Sequence, residues 1–355
     1  WAPIMDRVSL PVLTRIFGRR RSWVLLTQGL LFFSIIQLGA TNPNEGLWWV
    51  AVFALLVSFA SASQDIVIDA YRIEILDDNS QGAGAAMTQL GYRIGGIFSG
   101  AGSLYLKTLF SWEIVFSIIA IIVFFLMILT NLFVPLKKDK KFIINQKNLI
   151  KPFNEFIFRN SFLRVLLIVL LIFSFKFGDV IAGVMANPFY VKLGFSNIDI
   201  ANASKIFGVI MTIIGVFCGG ALVKKIGIIN SLIISGFFQI ISNLFYVLLN
   251  YVGSEISFLF LTVAAENFSG GLGSAAFVAY LSALCNKKYT GTQYALLSSI
   301  MGLARTVLSA PSGFLVESFG WAKFFLISTI FGLPAMFILF WMKKRFSISM
   351  QKFRS

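Results

Sequence analysis

Histidine is absent from this 355-residue chain, and cysteine occurs only twice, at Cys218 and Cys285. Without histidine, any proton relay has to run on carboxylates, and the commonest ligand of a soft metal is missing. Both cysteines lie in or at the end of apolar runs, without the spacing of a metal or redox site, and read as small packing residues. Neither a metal nor a cofactor is implied. Acidic residues are also few, 15 against 30 lysines and arginines, leaving a net charge of +15. Such an excess raises nucleic acid as a partner. The basic residues, however, stand in short clusters between apolar runs, such as Arg19-Arg20-Arg21, Lys137-Lys138 and Lys343-Lys344-Arg345, and form no face for a duplex. No nucleic-acid partner is expected.

Apolar residues are what the chain has in quantity. They make up 57% of it, with 39 phenylalanines, against roughly 45–50% in soluble domains. A water-soluble globule of this size could not hide so much apolar surface, so the solvent for much of the chain is lipid. Ten runs approach or exceed the roughly 20 residues that a bilayer requires: 23–40, 47–68, 83–106, 112–135, 162–190, 200–223, 228–250, 256–284, 291–316 and 322–342. With the segment before Trp23 placed inside, 23 lysines and arginines fall in cytoplasmic segments and 3 in external ones. That asymmetry sets the orientation. An all-α, multi-pass protein of the inner membrane is expected, with its basic loops cytoplasmic.

An internal repeat runs at a constant offset of 209 residues. Gly18 corresponds to Gly227, Phe59 to Phe268, Ala70-Tyr71 to Ala279-Tyr280, Gly82 to Gly291, Ser103 to Ser312 and Trp112 to Trp321. Parallel halves of this kind are a transporter arrangement. The expected domains are a truncated helical half over 1–135, a basic cytoplasmic linker over 136–161, a six-helix half over 162–345 and a cytoplasmic tail over 346–355. The counterparts of spans 162–190 and 200–223 would begin before Trp1. The reading is a 6+6 parent whose N-terminal one to two helices are missing here, with a true ten-helix protein as the alternative.

Ionisable groups inside spans are costly and mark candidate sites. Asp65, Asp69 and Arg72 share one helix face, with Gln64 beside them and the small residues 60–63 allowing close helix approach. Asp65 reads as a proton-sensitive or substrate-contacting group. Asp69 and Arg72 read as a pair that locks one conformation. Lys176 and Asp179, three residues apart near mid-span, either neutralise each other or form a coupling element. Glu266, followed by Asn267 and three glycines, is the leading proton-carrier candidate, and the glycines permit either close packing or local unwinding. Arg93 and Arg305, near mid-depth, suit an anionic substrate or neutralise one of these acids. Glu155 and Asp199 read as solvated loop charges.

The stretch from Ser61 to Arg72, with Gly82–Ala86, Gly91-Tyr92-Arg93, Lys176–Asp179, Glu266-Asn267 and Thr292–Leu297, closely resembles the AmpG-type muropeptide permeases of the major facilitator superfamily. Asp6-Arg7 with Gly18-Arg19-Arg20 is similar to a stretched form of that superfamily's loop between its second and third helices, which makes these residues gating candidates. The resemblance runs along essentially the whole chain. It implies proton-driven import of N-acetylglucosaminyl-1,6-anhydro-N-acetylmuramic acid, with or without peptide, by a monomer using alternating access. Glu266, Asp65 and Asp179 are then the proton-coupling candidates, and Arg93, Arg305, Lys176, Asn267 and Gln64 the substrate-binding ones. Asp6, Arg7, Asp69, Arg72, Arg19 and Arg20 are the gating candidates. Other readings are the same scaffold carrying another solute, such as acetyl-CoA, a peptide or a metabolite, or an inactive truncated remnant. An enzyme is not expected, since the carboxylates are spread over several helices.

Overall fold

The computed structural model describes residues 1–77, 80–135 and 150–350, with 346–350 described by backbone alone. Among the described residues all regular structure is helical. Lipid demands this, because a helix satisfies its own amide and carbonyl groups where no water can. Two short helices, α1 (Ala2–Arg7) and α2 (Leu13–Phe17), lead into α3 (Arg19–Ala40) and α4 (Leu47–Ile75). Then come α5 (Gln81–Ile97), a π-helical turn at Phe98–Gly102, α6 (Ser103–Leu109) and α7 (Trp112–Phe133). Further on are α8 (Lys151–Asn160), α9 (Phe162–Phe175), α10 (Phe177–Leu193), α11 (Asn197–Ile200), α12 (Gly208–Ile226) and α13 (Ile228–Val252). The chain continues through α14 (Ile256–Ala283), α15 (Thr290–Ser309), α16 (Ser312–Phe319), α17 (Trp321–Phe331) and α18 (Leu333–Met350).

Nine helical stretches among the described residues are long and apolar enough to cross a membrane. The remaining expected span, 83–106, falls on the uninterrupted helical run of α5, the π-turn and α6, which is richer in glycine and less apolar. All ten expected spans therefore lie on helices. Large apolar side chains face outward along them, Leu132 at 70% and Phe133 at 78% exposure on α7 for example. In water such a surface would aggregate, whereas lipid solvates it. Of the expected linker 136–161, residues 136–149 lie outside the described residues, as does the tail beyond Met350. The rest of the linker is mainly α8.

The repeat is visible in the backbone. Helices α3, α4, α5, α6 and α7 begin at residues 19, 47, 81, 103 and 112, and α13 to α17 begin at 228, 256, 290, 312 and 321. Each pair of starts is 209 apart. Gly18 (φ 73°, ψ 164°) and Gly227 (φ 82°, ψ 165°) take the same left-handed turn into α3 and α13, a conformation open mainly to glycine.

By packing, the described residues divide into two units. The first comprises Trp1–Leu76, Gly91–Phe156 and Cys285–Ala295, and the second Asp77–Leu90, Ile157–Leu284 and Leu296–Ser355. In the first, α3 packs on α4 and α7 around Leu31, Ile35, Ala60 and Ala120. In the second, α14 packs on α12 and α13, and α17 on α10 and α13, with Phe189, Tyr190, Tyr246, Phe324 and Phe325 fully buried. The glycines after Glu266 serve packing: α14 is unbroken, and a Cβ on Gly271 would lie 2.4 Å from the Thr212 carbonyl oxygen.

Candidate functional site

In the first unit a fully buried carboxylate organises one end of the fold. Asp6, on α1, accepts from the Gly291 amide (3.1 Å), the Thr292 amide (2.7 Å) and the Thr292 hydroxyl (2.6 Å), all at the start of α15. The first amides of a helix have no partners within it, and its dipole is positive there, so an anion is the natural occupant. Gly291 is required for the approach, since a Cβ would come within 2.8 Å of Asp6 Oδ1. Arg20 completes the arrangement by donating to Asp6 (2.7 Å) and to Glu74 (2.5 Å), all three side chains being nearly inaccessible. Arg19 donates to the Asp6 backbone carbonyl, and Arg7 is half-buried at the end of α1.

The same region of α15 is held a second time. Glu155 on α8 accepts from Asn286 Nδ2 (2.7 Å) and Gln293 Nε2 (2.6 Å). The expectation of a solvated loop charge at Glu155 is thus corrected: the residue is helical and bonded to side chains more than a hundred positions away. Along α4, Arg72 donates to Asp69 (3.2 Å) and its guanidinium lies 5.6 Å from the centre of the Tyr294 ring. Asp65 is exposed, and Gln64 is half-buried. Ser63, in the small-residue stretch, accepts from the Trp1 indole (3.0 Å).

The second unit places its charges differently. Lys176 interrupts the span Phe162–Leu193 as a single non-helical residue (φ −106°, ψ 2°) between α9 and α10. Its ammonium donates to the Gly270 carbonyl (3.1 Å) and the Ser274 hydroxyl (3.2 Å) on α14, and stands 3.7 Å from Asp179. One turn before Gly270, Glu266 accepts a short hydrogen bond from the Tyr246 hydroxyl, to which Tyr190 donates at 3.3 Å. Asn267 accepts from the Thr212 hydroxyl (3.0 Å). Lys176, Asp179, Glu266 and Asn267 therefore belong to neighbouring turns of α10 and α14.

Residues 8–308 match the sequence model of the Major Facilitator Superfamily. A transporter named AmpG 4 from Rickettsia felis is 34% identical over 360 residues, covering 98% of this chain and 85% of that protein. The chain belongs to the AmpG-type permeases of the major facilitator superfamily. The anhydromuropeptide permease of Escherichia coli K12 is 35% identical over 347 residues, covering 96% of this chain and 68% of that protein. Among solved structures, a proton:xylose symporter of the same superfamily aligns with TM-score 0.70 at 16% identity, over 97% of this chain and 82% of its own. A bacterial homologue of the iron transporter ferroportin, in an outward-facing state, aligns with TM-score 0.63 at 17% identity, over 97% and 86%. These two show the fold alone.

Within this permease, Arg93 on α5 and Arg305 on α15 are both exposed side chains. The sequence reading missed Tyr246, Tyr190 and Glu74. A buried tyrosine carries no signal by itself, and Glu74 lies 54 residues from the arginine it holds.

Proposed function

We propose that this permease imports anhydromuropeptides from periplasm to cytoplasm in symport with protons, by alternating access across the inner membrane. The observation that carries the reading is its 35% identity, over nearly its whole length, to a protein named anhydromuropeptide permease. Glu266 is the proposed proton carrier, with Asp65 and Asp179 as further coupling groups. A tyrosine hydroxyl can donate to an ionised carboxylate and accept from a protonated one. The Tyr246–Glu266 contact thus survives both arrival and departure of the proton. Lys176, Asn267, Gln64, Arg93 and Arg305 would meet the polar sugar and acidic peptide. Asp6, Arg7, Arg19, Arg20, Asp69 and Arg72 would form the cytoplasmic gate, and release of Asp6 from the start of α15 would be the opening step.

The test is uptake of labelled anhydromuropeptide by purified protein in proteoliposomes under an imposed proton gradient, with unlabelled acetyl-CoA, peptide and amino sugars as competitors. The expected result is gradient-dependent uptake that only anhydromuropeptide competes away. Uptake that ignores the gradient would remove the symport. Competition by another solute alone would reassign the cargo.

A further inference from the structure

Beside the break at Lys176, the second unit has a small, partly open cavity, and of the residues given roles above only Asp179 lines it. Its volume is about 10 Å³, and its wall includes Asp179, Gln239 and Asn243 together with Phe175, Ile240 and Met336. That is about the space one water molecule needs. Gln239 is 3% exposed and Asn243 2%. Neither amide atom of Gln239 meets a hydrogen-bond partner within the protein, nor does Oδ1 of Asn243. Buried polar atoms are nearly always satisfied, by protein or by ordered water.

The surroundings are built to bring these amides in. Gly273 on α14 makes room for Gln239, because a Cβ there would lie 2.3 Å from its Nε2. Gly178, next to Asp179, makes room first for the Ser328 carbonyl, 2.5 Å from where a Cβ would sit, and then for Asn243, whose Nδ2 would be 3.1 Å away. The chemistry of the wall selects the occupant. Lys176 already stands 3.7 Å from Asp179 and neutralises it. The free atoms comprise two acceptor oxygens and one donor nitrogen. A metal cation would find the carboxylate already paired with Lys176, whereas water both donates and accepts.

We propose that this cavity holds one ordered water shared by Asp179, Gln239 and Asn243, tying the start of α10 to the middle of α13. It gives Asp179 a second partner besides Lys176, so the helix break is held from two sides. The site stands independently of the cargo.

Met336 lines the cavity and is 9% exposed, while Met342 at 3% and Met5 at 4% are buried elsewhere. Brief X-ray radiolysis of the purified protein generates hydroxyl radicals from water in place, and mass spectrometry reads methionine oxidation. Met336 is expected to oxidise several-fold faster than Met342 and Met5 and, when ¹⁸O-water is mixed in before the dose, to acquire the label only after exchange far slower than bulk mixing. Gln239→Leu and Asn243→Leu are each expected to bring Met336 down to the rate of Met342. Oxidation of Met336 no faster than the controls, exchange at the bulk rate, or a rate indifferent to both substitutions would overturn the proposal. Should neither leucine variant fold, the comparison of three methionines in the unaltered protein decides. Repeating it with choline in place of sodium separates the occupants: a sodium-dependent change at Met336 would assign the cavity to a cation and end the water reading.

Discussion

Helices α3 to α7 and α13 to α17 start in step, 209 residues apart, yet their charges do not correspond. Asp65 faces Ser274 across the offset, Asp69 faces Val278, Arg72 faces Leu281 and Glu74 faces Ala283, while Glu266 faces Val57 and Arg305 faces Gly96. Arg15 and Lys224 are a matched basic pair, each three residues before its turning glycine. What the repeats share is therefore where the backbone turns, and what they do not share is where charge is placed inside it. The earlier repeat carries a closed ion network, Asp6–Arg20–Glu74, whose members are almost inaccessible. Near mid-span, the later one carries a carboxylate held by a tyrosine, and offers a carbonyl and a hydroxyl to Lys176, which precedes it in the chain. Paired buried charges lock, because removing either partner strands the other. A carboxylate held by a neutral hydroxyl keeps both protonation states within reach.

The asymmetry can be attacked from both sides, beginning where the largest effect is expected. Glu266→Gln should cut gradient-driven uptake in proteoliposomes by at least about tenfold, as expected for an intramembrane ionisable group in a proton path, with expression near normal. Uptake close to wild type would make Glu266 no more functional than Val57. Next is Asp6→Ala, which leaves Arg20 short of one partner and strips the start of α15. Unfolding in detergent should show a loss of about 3–5 kcal/mol, the cost of breaking a buried pair. Replacing Asp6, Arg20 and Glu74 together by leucine or methionine should recover much of that loss. No recovery would mean that the α15 amides, not the ion network, dominate.

The third experiment pairs Gly271→Ala with Ala62→Gly, residues 209 apart. The first forces a Cβ to 2.4 Å from Thr212 oxygen and should cost about 1–3 kcal/mol by overpacking. The second should cost no more than about 1 kcal/mol, by helix propensity. Equal losses would show that α4 is packed as closely as α14. The smallest effect is expected for Glu155→Gln, which weakens the second clasp on α15 by about 1 kcal/mol. It should appear as faster tryptic cleavage after Lys287 or Lys288. An unchanged rate would leave that clasp without influence on the loop.

How far the site could be read in advance followed sequence distance. Asp69–Arg72 are three residues apart on one helix, so helix geometry alone brings them together, and Lys176–Asp179 have the same spacing, though Lys176 stands just outside α10. Arg20–Glu74 and Asp6–Thr292, separated by 54 and 286 residues, depend on how helices pack. Glu155 illustrates the same limit, since its partners lie beyond the stretch that looked like a linker. The glycines after Glu266 fitted unwinding and packing equally well. The breaks that exist within spans fall elsewhere: at Lys176, two residues before Gly178, at Ala310-Pro311 and at Gly332.

Residue order by itself determined the membrane class, the ten spans and the 209-residue repeat, because each rests on local properties: apolar length, basic clustering and turning glycines. Tertiary structure alone decided which carboxylate holds which helix start, that Tyr246 partners Glu266, and that Gln239 and Asn243 share a cavity with Asp179. Those contacts are selected by the separation of packed helices. A tenth of a nanometre there decides whether two polar groups bond, and no local pattern in the chain encodes it.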